Sequence, residues 1–209
     1  MAAELTVIEH AVLADRLSVL RDRATPHGAF RQALFECSAI MAVEVARELP
    51  LKEVEVQTPL ESTRGLRIRD EVAVVPVLRA GLGMVEGFLR LLPDARVGHL
   101  GIQRDEDDHA PIDYFERLPP GLPEARVYLL DPMLATGGSA VRALQHLKDS
   151  GAEHLELVCL VAAPEGLRAV QAEHSDIRIW AAAVDRELDA NAYIRPGLGD
   201  AGDRVFGTS

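Results

Sequence analysis

Val72-Ala73-Val74-Val75 is a run of β-branched and small apolar residues with no polar break. A strand with one wet face alternates apolar and polar residues. An unbroken apolar run suits a strand whose sheet is covered on both faces. That feature points to a layered α/β architecture, and the sequence keeps the rhythm. Gly81, Gly83 and a helical stretch to Leu92 follow, then a second strand from Arg96 to Ile102 and a third from Val127 to Leu130. A Gly-rich turn leads into a helix from about Ser139 to Lys148, with Gly151 suited to its C-terminal turn. A fourth strand spans Leu155 to Val161, a helix Glu165 to Glu173, and a fifth strand Ile177 to Val184. Strands alternating with helices at this pace mean crossover units and a largely parallel central sheet with flanking helices.

Upstream, Phe30, Leu34, Cys37, Met41 and Val45 recur at helical spacing, an amphipathic helix ending near Pro50. Its apolar face suits core packing better than a subunit interface. Val54 and Val56 alternate with Glu55 and Gln57, which predicts a half-buried strand stopping at Thr58-Pro59. The stretch from Gln103 to Arg126 is long, charged and rich in Pro and Gly. It reads as a lid, or alternatively as a plain surface hairpin. A chain of 209 residues, with no repeat or low-complexity linker, is expected to fold as one domain, 1–209.

Charge and cysteine content narrow the function. With 22 basic and 33 acidic residues the formal net charge is −11. That disfavours a nucleic-acid binder, which needs a basic face to displace counterions. It leaves room for a small anion held by a local arginine and a helix N-terminus. Cys37 and Cys159 both sit in apolar runs and read as buried, reduced core residues. No stretch is long and apolar enough to span a bilayer, and the N-terminal residues lack a signal peptide's order. The expected location is the cytoplasm.

Ligands of parallel sheets bind beyond the carboxyl ends of the strands. Pro76 to Gly83, Arg104, Asp131 to Ser139 and Asp185 all fall there. In Tyr128-Leu-Leu-Asp-Pro-Met-Leu-Ala-Thr-Gly-Gly-Ser139, a strand runs into an acid, then a small-residue turn, then a helix. Thr136, Gly137, Gly138 and Ser139 bring backbone N–H groups and hydroxyls to a helix N-terminus, which suits a phosphate monoester. Asp131 would repel a phosphate, so it should face hydrogen-bond donors such as a ribose diol. Acid and cradle together describe a ribose 5-phosphate site. A nucleoside triphosphatase loop would need Gly-Lys-Ser/Thr, and this turn has no lysine.

This segment resembles the phosphoribosyl-pyrophosphate (PRPP) loop of the type I phosphoribosyltransferases. Pro132 stands where most of that superfamily has a second acid, and Asp-Pro-Met-Leu-Ala-Thr-Gly-Gly is similar to the uracil phosphoribosyltransferase branch. The resemblance implies PRPP contacts from Asp131, Pro132, Met133, Leu134, Ala135, Thr136, Gly137, Gly138 and Ser139. Having a single acid disfavours a direct protein ligand for metal here; Mg²⁺ is expected to be bound mainly through PRPP. Val75 to Met84, with Arg79, resembles the family's pyrophosphate loop, which in the wider superfamily can hold a non-proline cis peptide. Arg104 in Gly101-Ile-Gln-Arg-Asp-Glu matches too, with Glu106, Tyr114 and Phe115. Arg79 and Arg104 are thus assigned to pyrophosphate. The acids from Asp105 to Asp108 read as a solvated loop rather than a metal cluster.

Tyr193 to Asp203 formally contains a dinucleotide fingerprint in Gly197, Gly199 and Gly202. That match is rejected, because Pro196 adjoins it and no apolar strand leads in. A compact loop of bare backbone can instead read a planar base edge. The segment closely resembles the uracil-binding loop of the same family, which implies Ile194, Gly199, Asp200 and Ala201 on uracil. Asp200 would stand between uracil and the activated sugar, contacting PRPP as well as the base, with Asp200 and Arg104 as the catalytic candidates. The resemblance also takes in Thr58 to Leu60, Leu160 to Gly166 and Val205 to Thr208. It implies uracil and PRPP as substrates, UMP and pyrophosphate as products, a homodimer or larger homo-oligomer, and GTP as an activator of some members. No sequence feature marks a GTP site. Two other readings stay open: a regulator that keeps this fold and binds nucleic acid, and transfer to a purine.

Overall fold

The computed structural model describes residues 4–104 and 111–208. In chain order the strands and helices are β1 (Leu5–Val7), α1 (Ala11–Arg21), α2 (His27–Val45), β2 (Leu51–Gln57), β3 (Ser62–Ile68), β4 (Val72–Leu78), α3 (Leu82–Leu91), β5 (Arg96–Val97), β6 (His99–Arg104) and β7 (Pro111–Arg117). There follow β8 (Arg126–Leu130), β9 (Met133–Leu134), α4 (Gly138–Asp149), β10 (His154–Ala162), α5 (Pro164–Glu173), β11 (Arg178–Val184), β12 (Glu187–Leu188), β13 (Ile194–Arg195) and α6 (Ala201–Phe206). The main sheet runs β1-β11-β10-β8-β4-β6-β7, with β5 and β9 as short additions. Its pairings are parallel except β6 with β7.

The unbroken apolar strands are explained by the two layers they serve. Val72 and Val74 of β4, Tyr128 and Leu130 of β8, and Val158 and Leu160 of β10 face a core shared with α1, α2 and α3. Ala73 and Val75, Val127 and Leu129, and Leu157 and Cys159 face the opposite core, shared with α4 and α5. Successive side chains of one strand thus enter different cores, so neither parity can be polar. In α2, the stripe read from the sequence is buried throughout, with Phe30, Leu34, Cys37, Met41 and Val45 at most 2% exposed.

Four sequence readings need correction. The Arg96 to Ile102 strand is two, because Gly98 breaks the run and turns its N–H to the Val74 carbonyl at 3.0 Å. The Val54 and Val56 strand is not half-buried: β2 pairs antiparallel with β3 in a separate two-stranded ribbon, exposed at nearly every position. α2 begins at His27, and a 3₁₀ turn (Ala46–Glu48) separates it from Pro50. α6 is a short helix where the sequence suggested only loop. Several elements were not anticipated, among them α1, β1, β3 and the two-residue strands β9, β12 and β13. Of these α1 was legible, since Leu13, Leu17 and Leu20 are spaced for one helical face and are buried. β1 has only three residues and β3 is mostly polar, so neither carries a period-two signal.

Candidate functional site

At the carboxyl edge of the sheet, three loops enclose a cleft of about 440 Å³. The first follows β8. The Asp131 N–H donates to the Val158 carbonyl at 3.1 Å, and its Oδ1 accepts from the Met133 N–H at 3.2 Å, which directs the chain into the turn. Gly137 caps α4 at φ +89°, a left-handed conformation that strains any residue with a Cβ. A Cβ there would also stand 2.7 Å from the Ala169 Cβ. The N–H groups of the first turn of α4 have no carbonyl partner within the helix, the usual anion-binding arrangement. Asp131, Met133, Leu134, Ala135, Gly137 and Ser139 line the cleft. Pro132 turns inward, its carbonyl accepting from the Val161 N–H at 3.1 Å; Thr136 lies at the exposed tip, and Gly138 opens α4.

The second loop follows β4. The Leu78-Arg79 peptide is cis. Gly81 allows close approach here, since a Cβ would lie 2.5 Å from the Leu130 carbonyl oxygen. Arg79 faces the cleft, with its Nη2 3.5 Å from Asp203 Oδ1. A contact this long, on a half-exposed arginine, contributes little energy. The guanidinium can therefore turn to a phosphate group at small cost. Arg104 ends β6. Its side chain, and all of 105–110 with Glu106 and the acids from Asp105 to Asp108, lie outside the described residues. β7 pairs antiparallel with β6, and it carries Tyr114 and Phe115 half-exposed.

The third loop lies near the C-terminus. Asp200 is the N-cap of α6, its carboxylate accepting from the Asp203 N–H at 2.9 Å. Ile194, Gly199, Asp200 and Ala201 all line the cleft, opposite the phosphate loop. Asn191, Ala192 and Tyr193 join them. Asp189 builds their turn, accepting from the N–H groups of Asn191 and Tyr193 at 2.9 and 3.0 Å and from Arg195 at 2.6 Å. The backbone donors, then Arg195, hold its carboxyl below the ordinary carboxylate range. The Arg195-Pro196 peptide is cis.

Sequence reasoning grouped Asp185 with the cleft residues, but the structure sets it behind them. It is 7% exposed, does not line the cleft, and pairs with Arg21. Arg21 and Arg204 were missed. Arg204 donates to the carbonyls of Leu198 at 2.9 Å and Asp22 at 2.6 Å and covers the Phe30 ring at 4.3 Å, tying the third loop to α1 and α2. No local pattern announces such contacts. The two cysteines are no nucleophiles. Burial raises the Cys37 thiol to about 12 and pushes the Cys159 thiol further up, with Asp131 adding to the effect.

The comparisons agree with this geometry. The family model for uracil phosphoribosyltransferase matches residues 7–208. A protein named uracil phosphoribosyltransferase from Salinibacter ruber is 53% identical over 204 residues, covering 98% of this chain and 97% of its own. The solved structure of the AQ2163 protein from Aquifex aeolicus superposes with a TM-score of 0.94 at 35% identity, covering 98% of this chain and 99% of that one. A hypoxanthine phosphoribosyltransferase from Staphylococcus aureus shares the fold alone, with a TM-score of 0.53 at 8% identity over 80% of this chain and 85% of its own. Full-length similarity to its members, on a phosphoribosyltransferase fold, makes this chain a member of the uracil phosphoribosyltransferase family.

Proposed function

We propose that the chain transfers the phosphoribosyl group of PRPP to uracil, giving UMP and pyrophosphate. The observation that carries this reading is the meeting of three loops on one cleft: a phosphate cradle with its acid, an arginine loop, and a backbone-rich base loop. In the reaction the bond from ribose C1 to the pyrophosphate oxygen breaks and a bond from C1 to uracil N1 forms. Positive charge builds on the ribose and negative charge on the leaving group. Arg79 and Arg104 supply fixed positive charge to the pyrophosphate. The first turn of α4 holds the 5-phosphate, and Asp131 accepts from the ribose hydroxyls, so much of the catalysis is positioning. The Asp200 carboxylate takes the N1 proton of uracil. Ile194, Gly199 and Ala201 hold the base.

Among the described residues, no three His, Cys, Asp or Glu side chains gather as a metal cage. The phosphate loop offers a single carboxylate, Asp131, which suits a Mg²⁺ carried mainly on substrate phosphates. When bound, the ion neutralises the leaving group.

The nucleic-acid-binding reading is not favoured, given the full-length similarity to proteins named as this enzyme. Transfer to a purine is set aside on the resemblance of the base loop. GTP activation, which rests on the family resemblance alone, and a cytoplasmic location, which rests on the sequence reading, complete the proposal. No helix among the described residues is long and apolar enough to cross a membrane. A homo-oligomer is supported by the ribbon of β2 and β3 and its connecting turn, where Leu51, Leu60 and Leu66 are 54%, 94% and 64% exposed. Mass spectrometry of a mixture of protein, Mg²⁺, PRPP and uracil should find UMP. Finding uracil unconsumed, with or without GTP, would overturn the assignment.

A further inference from the structure

The turn that carries the base loop is gripped from behind by one ion pair. Arg21 is the last residue of α1, and Asp185 is the first after β11. Their contact is fork to fork: Nη1 donates to Oδ2 at 2.8 Å and Nη2 to Oδ1 at 2.7 Å. The same two side chains hold both polar groups of Gly197. Arg21 Nη1 donates to its carbonyl at 2.9 Å, and its N–H donates to Asp185 Oδ2 at 2.8 Å. The Asp185 side chain is 5% exposed and that of Arg21 25%, and neither lines the cleft. Gly197 sits at φ +64° between Ile194 and Gly199, which do line it.

We propose that Arg21 and Asp185 are positioning residues for the base. They form a latch that fixes the Gly197 peptide, and through it the spacing of Ile194 from the Gly199 to Ala201 segment. This rests on the uracil reading of the loop and deepens it, by naming what sets the affinity for the base. A buried ion pair contributes little net stability, since desolvation offsets most of its attraction. What a bidentate, charge-assisted pair supplies is orientation. The neighbouring carbonyl, that of Leu198, is anchored to the same end of α1 by Arg204, which also holds the Asp22 carbonyl. The base loop is thereby referenced to α1, while the phosphate loop is referenced to β8 and α4. Damage to the latch should therefore weaken uracil and spare PRPP.

The test is steady-state kinetics on Asp185→Asn, Arg21→Lys and the double variant. Asn keeps the shape of Asp, and Lys keeps the charge without the fork. Each single variant should raise KM for uracil roughly tenfold, the usual scale for one lost charge-assisted contact. KM for PRPP should stay within about twofold, since all its assigned contacts but Asp200 lie on other elements. The double variant should be no worse than the poorer single one, because both break one device. Backbone hydrogen exchange over 194–199 should be faster in all three. An unchanged uracil KM in both single variants would overturn the latch, as would a parallel rise of both KM values. If the wild type itself fails to use uracil, the base reading falls and this proposal with it, an outcome recognised before any variant is measured.

Discussion

Asp200 has one task in the fold and a second in the proposed reaction. As the N-cap of α6 it places an oxygen on the Asp203 N–H, which fixes its carboxylate at the cleft wall. Asparagine caps a helix as well as aspartate does. Asp200→Asn should therefore keep the fold and both KM values and lower kcat about 100-fold, the scale of general-base catalysis. An unchanged kcat would remove Asp200 from the chemistry. At this scale the sequence was legible wherever local chemistry was unusual. Asp131 at a strand end and Gly137 before a helix are short-range patterns, and the structure brings both to one cleft with Asp200, which only the resemblance had singled out. Arg21 was not legible, because its partner lies 164 residues away and nothing local separates it from a solvated helix-end arginine.

Elements were legible in proportion to their burial. The strands β8, β10 and β11 had nearly the spans read from the sequence, and β4 ran three residues past the four read, because covered strands carry few polar residues. The ribbon of β2 and β3 was misread, since alternation alone does not reveal that both faces stay wet. Two predictions belong to element junctions. Gly137→Ala forces a left-handed alanine at the start of α4 and should cost roughly 1–2 kcal/mol or more in urea unfolding. It should also weaken PRPP, with KM for PRPP rising more than KM for uracil; the reverse order would contradict the cradle assignment. The second junction joins β7 to α4. Arg142 donates to Asp113 Oδ2 from Nε at 3.0 Å and Nη2 at 2.6 Å, and His146 Nε2 lies 2.8 Å from the same oxygen, with Glu116 on its other nitrogen. The hydrogen bond from Arg142, aided by His146 and opposed by partial burial, holds the Asp113 carboxyl below its ordinary 3.8. A depressed acid stabilises the fold above its unfolded pKa, and that contribution is lost as pH falls through the lower folded value. Asp113→Asn should thus be less stable than wild type near pH 6 by about 0.5–1 kcal/mol, a gap that closes below pH ~3.8. A gap constant with pH in urea titrations would show that the tie is not electrostatic.

At the scale of the whole molecule, the sheet does one thing for the site. Along the path from β1 to β6 its strands are parallel, so their loops leave at one edge, where the proposed PRPP and base sites meet. The architecture was readable because alternating strands and helices admit few topologies. The third loop was placed by resemblance, since bare backbone in a loop has no sequence signature of its own. The central claim is that these sites serve one transfer, with uracil as acceptor. Pyrophosphate release, followed with Mg²⁺, PRPP and each free nucleobase in turn, tests it most directly. Release with uracil and with no purine is the predicted result; release with a purine, or with no base whether or not GTP is added, would contradict it.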